Sequence, residues 1–485
     1  MSIRNLEPKS LWNHFADLNA VPRPSKKEER VRAFAVNFGK SLGLETLEDA
    51  IGNVIIKKKA TPGMESRQTV VLQSHLDMVH QKNSDTIFDF DSQGIEMIVD
   101  GDWVKANGTT LGADNGIGVA AIMAILSSQE IVHPSIEVMF TIDEETGMTG
   151  AIKIDPSNFS GTILLNLDTE DDDELSIGCA GGIDTNTSYS YEEIAVNENS
   201  ISYEISVRGL LGGHSGMDIH RGRGNANKIL NRILYQGISL FPLQISSFDG
   251  GSLRNAIPRE AKAVISISKD EKNAFEKFLK DKADSLKFEY KSIETELNID
   301  TKLVELATKC LSDEVAMKIL NSIYAVPNGV FRMSPDIDDL VETSSSLARI
   351  ILKDGSFVTQ SLQRSSVDST KDDVANAVRA SFENMGCAVV QNGDYPGWQP
   401  NTDSAILRLM AKMYREKFNE EPKIKACHAG LECGILGSHF PNMDMISFGP
   451  NIRAAHSPDE KVQISSVQKF WGYLLDVLKE IPTKN

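Results

Sequence analysis

This chain of 485 residues lacks long apolar runs, contains only five cysteines, and has fewer basic residues (50) than acidic residues (68). No stretch approaches the roughly 20 consecutive apolar residues that a membrane-spanning helix needs. The opening "MSIRNLEPKSLWNHF" has no apolar segment behind a basic cluster, which argues against a secretory signal. The five scattered cysteines suit free thiols in a reducing cytoplasm. A formal net charge of −18 argues against nucleic acid and membrane surfaces as partners.

The length predicts two or three domains, and the first and last parts of the chain have the pattern of an α/β domain. Near-continuous apolar strands alternating with helices predict a mainly parallel, mixed sheet flanked by helices. The predicted strands are 53–58, 69–74, 135–142, 162–167 and 444–449, and the predicted helices are 113–128, 403–418 and 462–480.

The middle of the chain has a different pattern. Segments such as "ISYEISVRG" (201–209) alternate polar and apolar residues, which is typical of an antiparallel sheet with one solvated face. The order β-α-β-β-α over 201–286 loosely repeats over 287–391, as in duplicated ferredoxin-like units. We therefore predict an α+β domain over 183–395, inserted into an α/β domain formed by 1–182 and 396–485. The stretch "NGDYPGWQPN" is the predicted return linker.

Carboxylates and histidines follow the predicted parallel strands. The carboxyl ends of such strands meet at one edge of a sheet, where ligands bind in open α/β folds. No cysteine is among these residues, so the ligand atoms are nitrogen and oxygen. Zinc is the expected metal, with cobalt or manganese as substitutes. The candidate ligands are His75, Asp114, Glu145, Asp168 and His456.

Five candidates are more than the three or so protein ligands that one catalytic zinc takes. If Asp114 bridges two ions, His75 and Asp168 complete one ligand set, and Glu145 and His456 complete the other. Two metals roughly 3.5–4 Å apart can hold a hydroxide between them and polarise a carbonyl.

Two further acidic residues complete the predicted site. Glu144 and Glu145 are adjacent, so one of them can bind metal while the other takes a proton from water. Asp77 is placed to accept the far N–H of His75 and to fix its tautomer. A metal store or sensor is the alternative outside catalysis, but it has no use for a free carboxylate base.

The motifs "SHLDMV", "GADNGIG", "DEETGMTGA", "NLDTED", "GGHSG" and "AAHSP" resemble those of the two-zinc exopeptidase superfamily that includes aminoacylases and carboxypeptidases. With "HAGLECG" (428–434) and the overall length, the chain resembles most fully the bacterial aminoacyl-histidine dipeptidases, also called Xaa-His or cytosol non-specific dipeptidases. The resemblance implies the five zinc ligands named above. It also implies a bridging role for Asp114, a cis peptide between Asp114 and Asn115, and Glu144 as the general base.

The resemblance also implies that the inserted domain is a lid over a catalytic domain. His214, Asn255 and Arg364 are its implied substrate-binding residues. An arginine suits the free carboxylate of a dipeptide, Asn255 can donate to the same group, and His214 can stabilise an oxyanion. A surface arginine is the alternative for Arg364. In "HAGLECG", either His428 or Glu432 contacts the substrate amine, or the segment is a structural turn.

The expected activity is zinc-dependent hydrolysis of unblocked dipeptides by a metal-bridging water. The resemblance implies Xaa-His substrates, including β-Ala-His, and related enzymes accept many dipeptides. The alternative is an N-acyl amino acid deacylase of the same superfamily, which would use the same metals. We also expect a cytoplasmic homodimer, in which His214 serves its own site or that of the partner.

Overall fold

The computed structural model describes residues 2–484, which form two compact units. The first unit runs to Gly178 and includes Pro400–Ala426 and the chain from Leu431 onward. The second unit is Cys179–Gln399 with Cys427–Gly430. The predicted boundaries, 182/183 and 395/396, differ by four residues from these limits, and no sequence pattern indicated that 427–430 joins the second unit.

Twelve α-helices lie in the described part of the chain, with short 3-10 helices at Ile3–Asn5, Pro156–Asn158 and Lys269–Glu271. None of the helices over residues 2–484 has the length and apolar character that crossing a membrane requires. The α-helices are α1 (Lys9–Asn19), α2 (Glu29–Ser41), α3 (Ala113–Ser127), α4 (Glu144–Gly147), α5 (Thr149–Ile152), α6 (Ala226–Leu240), α7 (Lys272–Tyr290), α8 (Asp313–Ala325), α9 (Asp368–Glu383), α10 (Ala405–Phe418), α11 (Glu432–His439) and α12 (Ile464–Glu480).

The strands form four sheets. They are β1 (Glu45–Glu48), β2 (Val54–Lys58), β3 (Val70–His75), β4 (Met97–Asp100), β5 (Trp103–Ala106), β6 (Ile136–Thr141), β7 (Ile163–Asn166), β8 (Glu174–Cys179), β9 (Gly181–Ser190), β10 (Ile194–Ala195), β11 (Ser200–Arg208), β12 (Gln244–Gly250), β13 (Ala261–Ser268), β14 (Asn298–Val304), β15 (Lys309–Cys310), β16 (Gly329–Met333), β17 (Val341–Lys353), β18 (Ser356–Ser365), β19 (Ala388–Tyr395), β20 (Lys423–Cys427), β21 (Asp444–Ser447), β22 (Ile452–Arg453) and β23 (Lys461–Gln463).

An eight-stranded mixed sheet forms the centre of the first unit, in the order β1-β2-β6-β3-β7-β21-β8-β20. Its four middle strands, β6, β3, β7 and β21, are parallel. On either side the pairs β1–β2, β2–β6 and β8–β21 are antiparallel, so the parallel part is smaller than predicted. Every residue of β3, β6 and β7 is buried, as in parallel strands that are covered on both faces.

Helix α3 packs closely against this sheet because its sequence, "ADNGIGVAAIMAILS", is rich in small residues. It is buried almost all round, which is expected of a helix without a polar face. A Cβ atom at Gly118 would lie 2.5 Å from Ser74 Oγ and 2.8 Å from the Leu167 carbonyl oxygen. The helix therefore rests on the carboxyl ends of β3 and β7, which fixes where its first turn lies.

The second unit contains a nine-stranded antiparallel sheet, in the order β14-β11-β13-β12-β17-β18-β9-β19, with β16 paired to β17. The predicted order β-α-β-β-α is confirmed as β11, α6, β12, β13 and α7. The two loosely repeated halves form one continuous sheet, in which β12 of the first half pairs with β17 of the second and β14 of the second half pairs with β11 of the first. Apolar residues of α6, α7 and α8 pack on one face of it.

Candidate metal centre and active site

The carboxyl ends of the middle strands bring most of the predicted ligands to one edge of the sheet. His75 is the last residue of β3, and Asp168 lies two residues beyond β7. After β6 the chain turns through Asp143, whose φ is 55°, directly into α4, which begins with Glu144 and Glu145. Parallel pairing of these strands explains why residues distant in sequence lie together here.

Asp114 lies between two histidines. Its Oδ1 is 3.1 Å from His75 Nε2, and its Oδ2 is 3.1 Å from His456 Nε2. The peptide between Asp114 and Asn115 is cis, as the family resemblance predicted. The two oxygens of one carboxylate thus face different imidazoles, which is the arrangement that a carboxylate bridging two cations requires.

The remaining candidate ligands complete two groups around Asp114. His456 Nε2 lies 3.0 Å from Glu145 Oε2, and His75 Nε2 lies 3.5 Å from Asp168 Oδ1. In three triads every pair of candidate ligand atoms lies within 4.8 Å: His75, Asp114 and Asp168; Asp114, Glu145 and His456; and His75, Glu144 and Glu145. The first two triads are the ligand sets predicted from the sequence.

The buried carboxylates of this cluster lie close together and have the properties of ligands to a cation. Asp168 Oδ1 and Glu145 Oε1 are buried and have no hydrogen-bond partner, which is costly for a charged oxygen. Burial, together with the charges of Asp114 and Glu145, raises the pKa of Asp168 to about 7 despite the opposing effect of His75. A divalent cation would favour the charged forms of these acids.

The two histidines are held by carboxylates. Hydrogen bonds to Asp114 and Glu145 raise the pKa of His456 to about 11. Burial would lower the pKa of His75, but Asp168 and Asp114 outweigh burial and hold it well above its usual value. A metal ligand must be the neutral imidazole, so cation binding here would displace protons.

Asp77 connects His75 to the two glutamates. Its carboxylate accepts the backbone N–H groups of Glu144 at 3.1 Å and Glu145 at 3.3 Å. His75 Nδ1 lies 3.1 Å from the Asp77 carbonyl oxygen and 3.4 Å from its carboxylate, so the carbonyl is the nearer acceptor, which the sequence did not predict. Burial would raise the pKa of Asp77, but the bond and charge of His75 outweigh it and lower that pKa. Asp77 therefore orients both neighbouring segments.

A row of buried polar side chains crosses the parallel strands beneath the cluster, and sequence reasoning missed it. Gln73 on β3 donates to Glu432 Oε2 at 2.6 Å and to Thr141 Oγ1 on β6 at 3.1 Å. It also accepts from Asn166 on β7, which in turn accepts from Ser447 on β21. The signal was available, because β3, β6, β7 and β21 each have a polar residue at or near the carboxyl end, namely Gln73, Thr141, Asn166 and Ser447.

Arg364 lies on β18 in the second unit and is 5% exposed, so the alternative of a surface arginine is wrong. It donates from Nη1 to the Tyr395 hydroxyl at 3.0 Å, while its buried Nε has no hydrogen-bond partner. A Cβ on Gly216, in the "GGHSG" loop, would lie 3.1 Å from Arg364 Cδ. This loop and the guanidinium therefore lie side by side, with a donor left for an anionic ligand.

His214 has a defined tautomer. Its Nδ1 accepts the backbone N–H groups of Gly216 at 3.2 Å and Met217 at 3.0 Å, so the ring proton lies on Nε2. Burial and the charge of Arg364 lower the pKa of His214 to about 4, against the opposing effect of Asp218. The ring is thus a neutral donor at physiological pH.

Asn255 lies on the segment beside the "GGHSG" loop. Its carbonyl oxygen accepts the Ser215 N–H at 2.8 Å, and the residue is exposed to solvent. The structure therefore brings all three predicted residues of the inserted domain into one unit.

The two candidates within "HAGLECG" belong to different units. His428 lies in the second unit, where its Nε2 is 2.7 Å from Ser344 Oγ and its ring bonds the Val341 backbone. Glu432 lies in the first unit and takes part in the polar row described above. Both side chains have structural partners within their own units.

The chain is similar to known peptidases along almost its whole length. The sequence pattern of the family described as peptidase family M20/M25/M40 matches residues 71–480. The chain is 41% identical to the cytosol non-specific dipeptidase of Escherichia coli strain K12, over 99% of each protein. The crystal structure of aminoacylhistidine dipeptidase from Vibrio alginolyticus has a TM-score of 0.94 at 42% identity, covering 100% of this chain and 99% of that one. Aminopeptidase PepT from Bacillus cereus shares the fold, with a TM-score of 0.56 at 16% identity over 98% and 99% of the two chains.

Proposed function

The chain belongs to the metal-dependent peptidase family M20/M25/M40, and from this we propose that it hydrolyses unblocked dipeptides. The substrates include Xaa-His dipeptides such as β-Ala-His and extend to other dipeptides. Support comes from the full-length similarity to two proteins named as dipeptidases. The name of the Escherichia coli relative also supports a cytosolic location.

Two zinc ions per chain are the proposed cofactors, with Co²⁺ or Mn²⁺ as substitutes. His75, Asp114 and Asp168 would hold one ion, and Asp114, Glu145 and His456 the other. The observation that carries this proposal is the Asp114 carboxylate, with one oxygen 3.1 Å from each histidine. Bound divalent cations supply carbonyl polarisation and a nucleophile generated from water near neutral pH.

Glu144 is the proposed general base. It would take a proton from the attacking water and deliver it to the departing amine. Its backbone N–H is held by Asp77, and its carboxylate lies in a triad with His75 and Glu145. Burial, opposed by His75 and reinforced by Asp168 and Glu432, raises its pKa well above the usual value, which suits a group that must also hold a proton.

Residues of the second unit would recognise the substrate. Arg364 and Asn255 are proposed to bind the free carboxylate of the dipeptide, and the Nε2–H of His214 to stabilise the oxyanion. The unpartnered Nε of Arg364 and the fixed tautomer of His214 support these roles.

The substrate range tests the proposal. The zinc-loaded protein would be assayed with Gly-His, β-Ala-His, Ala-Ala, a tripeptide and N-acetyl amino acids, each with and without a chelator. We expect chelator-sensitive cleavage of the dipeptides alone, and the ratio of Gly-His to Ala-Ala rates measures the preference for histidine. Cleavage of the N-acetyl compounds alone would instead identify a deacylase; because these compounds keep a free carboxylate, that result would overturn the dipeptidase activity but not the roles of Arg364 and Asn255.

A further inference from the structure

The Glu460 carboxylate accepts hydrogen bonds from four successive backbone N–H groups at the start of α3. Its Oε2 lies 2.7 Å from the Leu111 nitrogen and 2.9 Å from that of Gly112. Its Oε1 lies 2.7 Å from the Ala113 nitrogen and 3.2 Å from that of Asp114. Glu460 is 2% exposed, so these bonds replace its hydration.

The start of α3 needs such a partner. Gly112, the residue before the helix, has φ of 70° and provides no side-chain cap. Asp114 and Asn115 have non-helical backbone angles, and the helical bond from the Gly116 N–H to the Gly112 carbonyl at 3.2 Å leaves the N–H groups of 111–114 in need of other acceptors. A carboxylate from a distant segment satisfies these amides and also interacts favourably with the helix dipole.

Arg23 holds the same turn from the other side. Its buried guanidinium donates to the Gly112 carbonyl at 2.5 Å and to the carbonyls of Leu76 and Asp77 at 3.1 Å each. Gly112 is therefore bound through its N–H by Glu460 and through its carbonyl by Arg23. This arrangement fixes the start of α3 against the segment that follows β3.

Glu460 also belongs to the loop that carries His456. The loop turns back on itself, since the Glu460 N–H bonds the Ser457 carbonyl at 3.0 Å. The same short segment thus provides a candidate ligand and binds the backbone of Asp114. Movement of the loop would shift His456 and Asp114 together.

We propose that Glu460 is a positioning residue that sets the affinity of the metal centre by fixing Asp114 relative to His456. The inference rests on the proposed metal centre, but not on which peptide is cleaved. Second-sphere partners of metal ligands typically change metal affinity or activity by about 10- to 100-fold. Glu460 is not one of the proposed ligands, and both of its carboxylate oxygens accept backbone N–H groups, so it acts through the position of Asp114.

The test is Glu460→Gln, which keeps the side-chain shape but turns an amide NH₂ towards backbone N–H groups. Glu137→Gln is the matched control. Glu137 is also a buried glutamate on turn amides, at 2.8 Å from the Ser160 nitrogen and 3.0 Å from that of Gly161. Glu137 lies near the start of β6, whereas Glu145 follows the carboxyl end of that strand, where the other candidate ligands also lie. The readouts are zinc affinity by chelator competition, free energy of unfolding of the apoprotein, and KM and kcat at saturating zinc.

We expect Glu460→Gln to lower zinc affinity by about 10- to 100-fold, with KM for the dipeptide nearly unchanged. Glu137→Gln should lose stability but keep wild-type zinc affinity. Equal zinc affinity in wild type and Glu460→Gln, or equal losses in both variants, would overturn the proposal. If Glu460→Gln does not fold, Glu460→Asp serves the same test with a smaller expected loss. A wild-type protein that binds zinc but cleaves no dipeptide would overturn the proposed activity and leave this inference standing.

Discussion

At the scale of single residues, Glu144 and Glu145 are neighbours with different surroundings. Both lie in a triad with His75, but Glu145 also faces His456 at 3.0 Å and belongs to a second triad with Asp114, which does not include Glu144. Both backbone N–H groups are held by Asp77, which fixes the turn that carries the two side chains. The adjacent pair can therefore divide metal binding and proton transfer between them.

Replacing Glu144 with glutamine tests this division of roles. We expect kcat to fall by about 100- to 10,000-fold, the usual contribution of a general base, while zinc content stays at the wild-type level. Glu145→Gln is the control and should lower zinc content. A Glu144→Gln protein with wild-type kcat would require a different base.

Arg364 is the residue of the second unit whose proposed role is most directly testable. Its buried, unpartnered Nε predicts a charge-assisted bond to a substrate carboxylate. We expect Arg364→Ala to raise KM for dipeptides by more than about tenfold without changing zinc content, since bonds to charged groups contribute about 1.5–3 kcal/mol. Arg349→Ala, which removes a guanidinium bonded to Asp249 in the same unit, is the control. Equal KM values for both variants and wild type would remove Arg364 from the binding site.

The candidate ligands could be predicted from the sequence, but several of their partners could not. Each candidate follows a strand or begins a helix, so local pattern and the parallel-sheet rule are sufficient to predict them. Glu460, in contrast, bonds amides almost 350 positions earlier in the chain, and Arg23 spans 53 to 89 positions. Such contacts depend on the packed tertiary structure, and no local pattern in "SPDE" indicates them.

At the scale of elements, the close approach of α3 to β3 and β7 determines where Asp114 lies. Gly118 allows this approach, because a Cβ atom there would meet Ser74 and the backbone of Leu167 at less than 3 Å. Neither neighbour is the flexible end of a long side chain. The position of the helix, and with it the Asp114 carboxylate, therefore depends on Gly118.

Gly118→Ala should lower the free energy of unfolding by about 1–3 kcal/mol, as overpacking of a core does. It should also weaken zinc binding, because the helix must shift away from the strand ends. Gly472→Ala in α12 is the matched control. Its Cβ would meet only the Lys417 side chain, at 3.4 Å and beyond, so it should be neutral or stabilise by about 0.5–1 kcal/mol. Urea unfolding of the two variants distinguishes them, and equal stability would contradict this account of α3.

The positions of most elements were predictable, but their pairing was less so. The strands at 54–58, 70–75 and 136–141 and the helix at 113–127 lie within a residue or two of prediction. The antiparallel direction of β2 was missed, because its apolar run resembles that of a parallel strand, and β1 and β8 were not among the predicted strands. Strand direction is set by chain connections, which periodicity does not reveal.

At the scale of the whole molecule, we propose a homodimer formed through the second unit. Strand β16 exposes Val330, Phe331 and Met333 at 39%, 47% and 44%. It pairs with β17 on one side, and its other side has no strand partner within residues 2–484. An exposed apolar edge of this kind is a site for pairing with another chain.

Sedimentation equilibrium tests this proposal. We expect a dimer for the wild type and a shift towards monomer for Phe331→Lys, since a charge disfavours edge pairing. Phe288→Lys alters an aromatic residue that is 68% exposed on α7 and should leave the mass unchanged. A monomeric wild type, or equal masses for all three proteins, would contradict the proposed interface.

We propose that one carboxylate, Asp114, joins two metal sites in the first unit. The most direct measurement is the number of zinc ions bound per chain, by elemental analysis of zinc-loaded protein after gel filtration. We expect two for the wild type and one for His456→Ala, because His75, Asp114 and Asp168 remain as a complete set. A wild type that saturates at one zinc, or a His456→Ala protein that still binds two, would contradict this proposal.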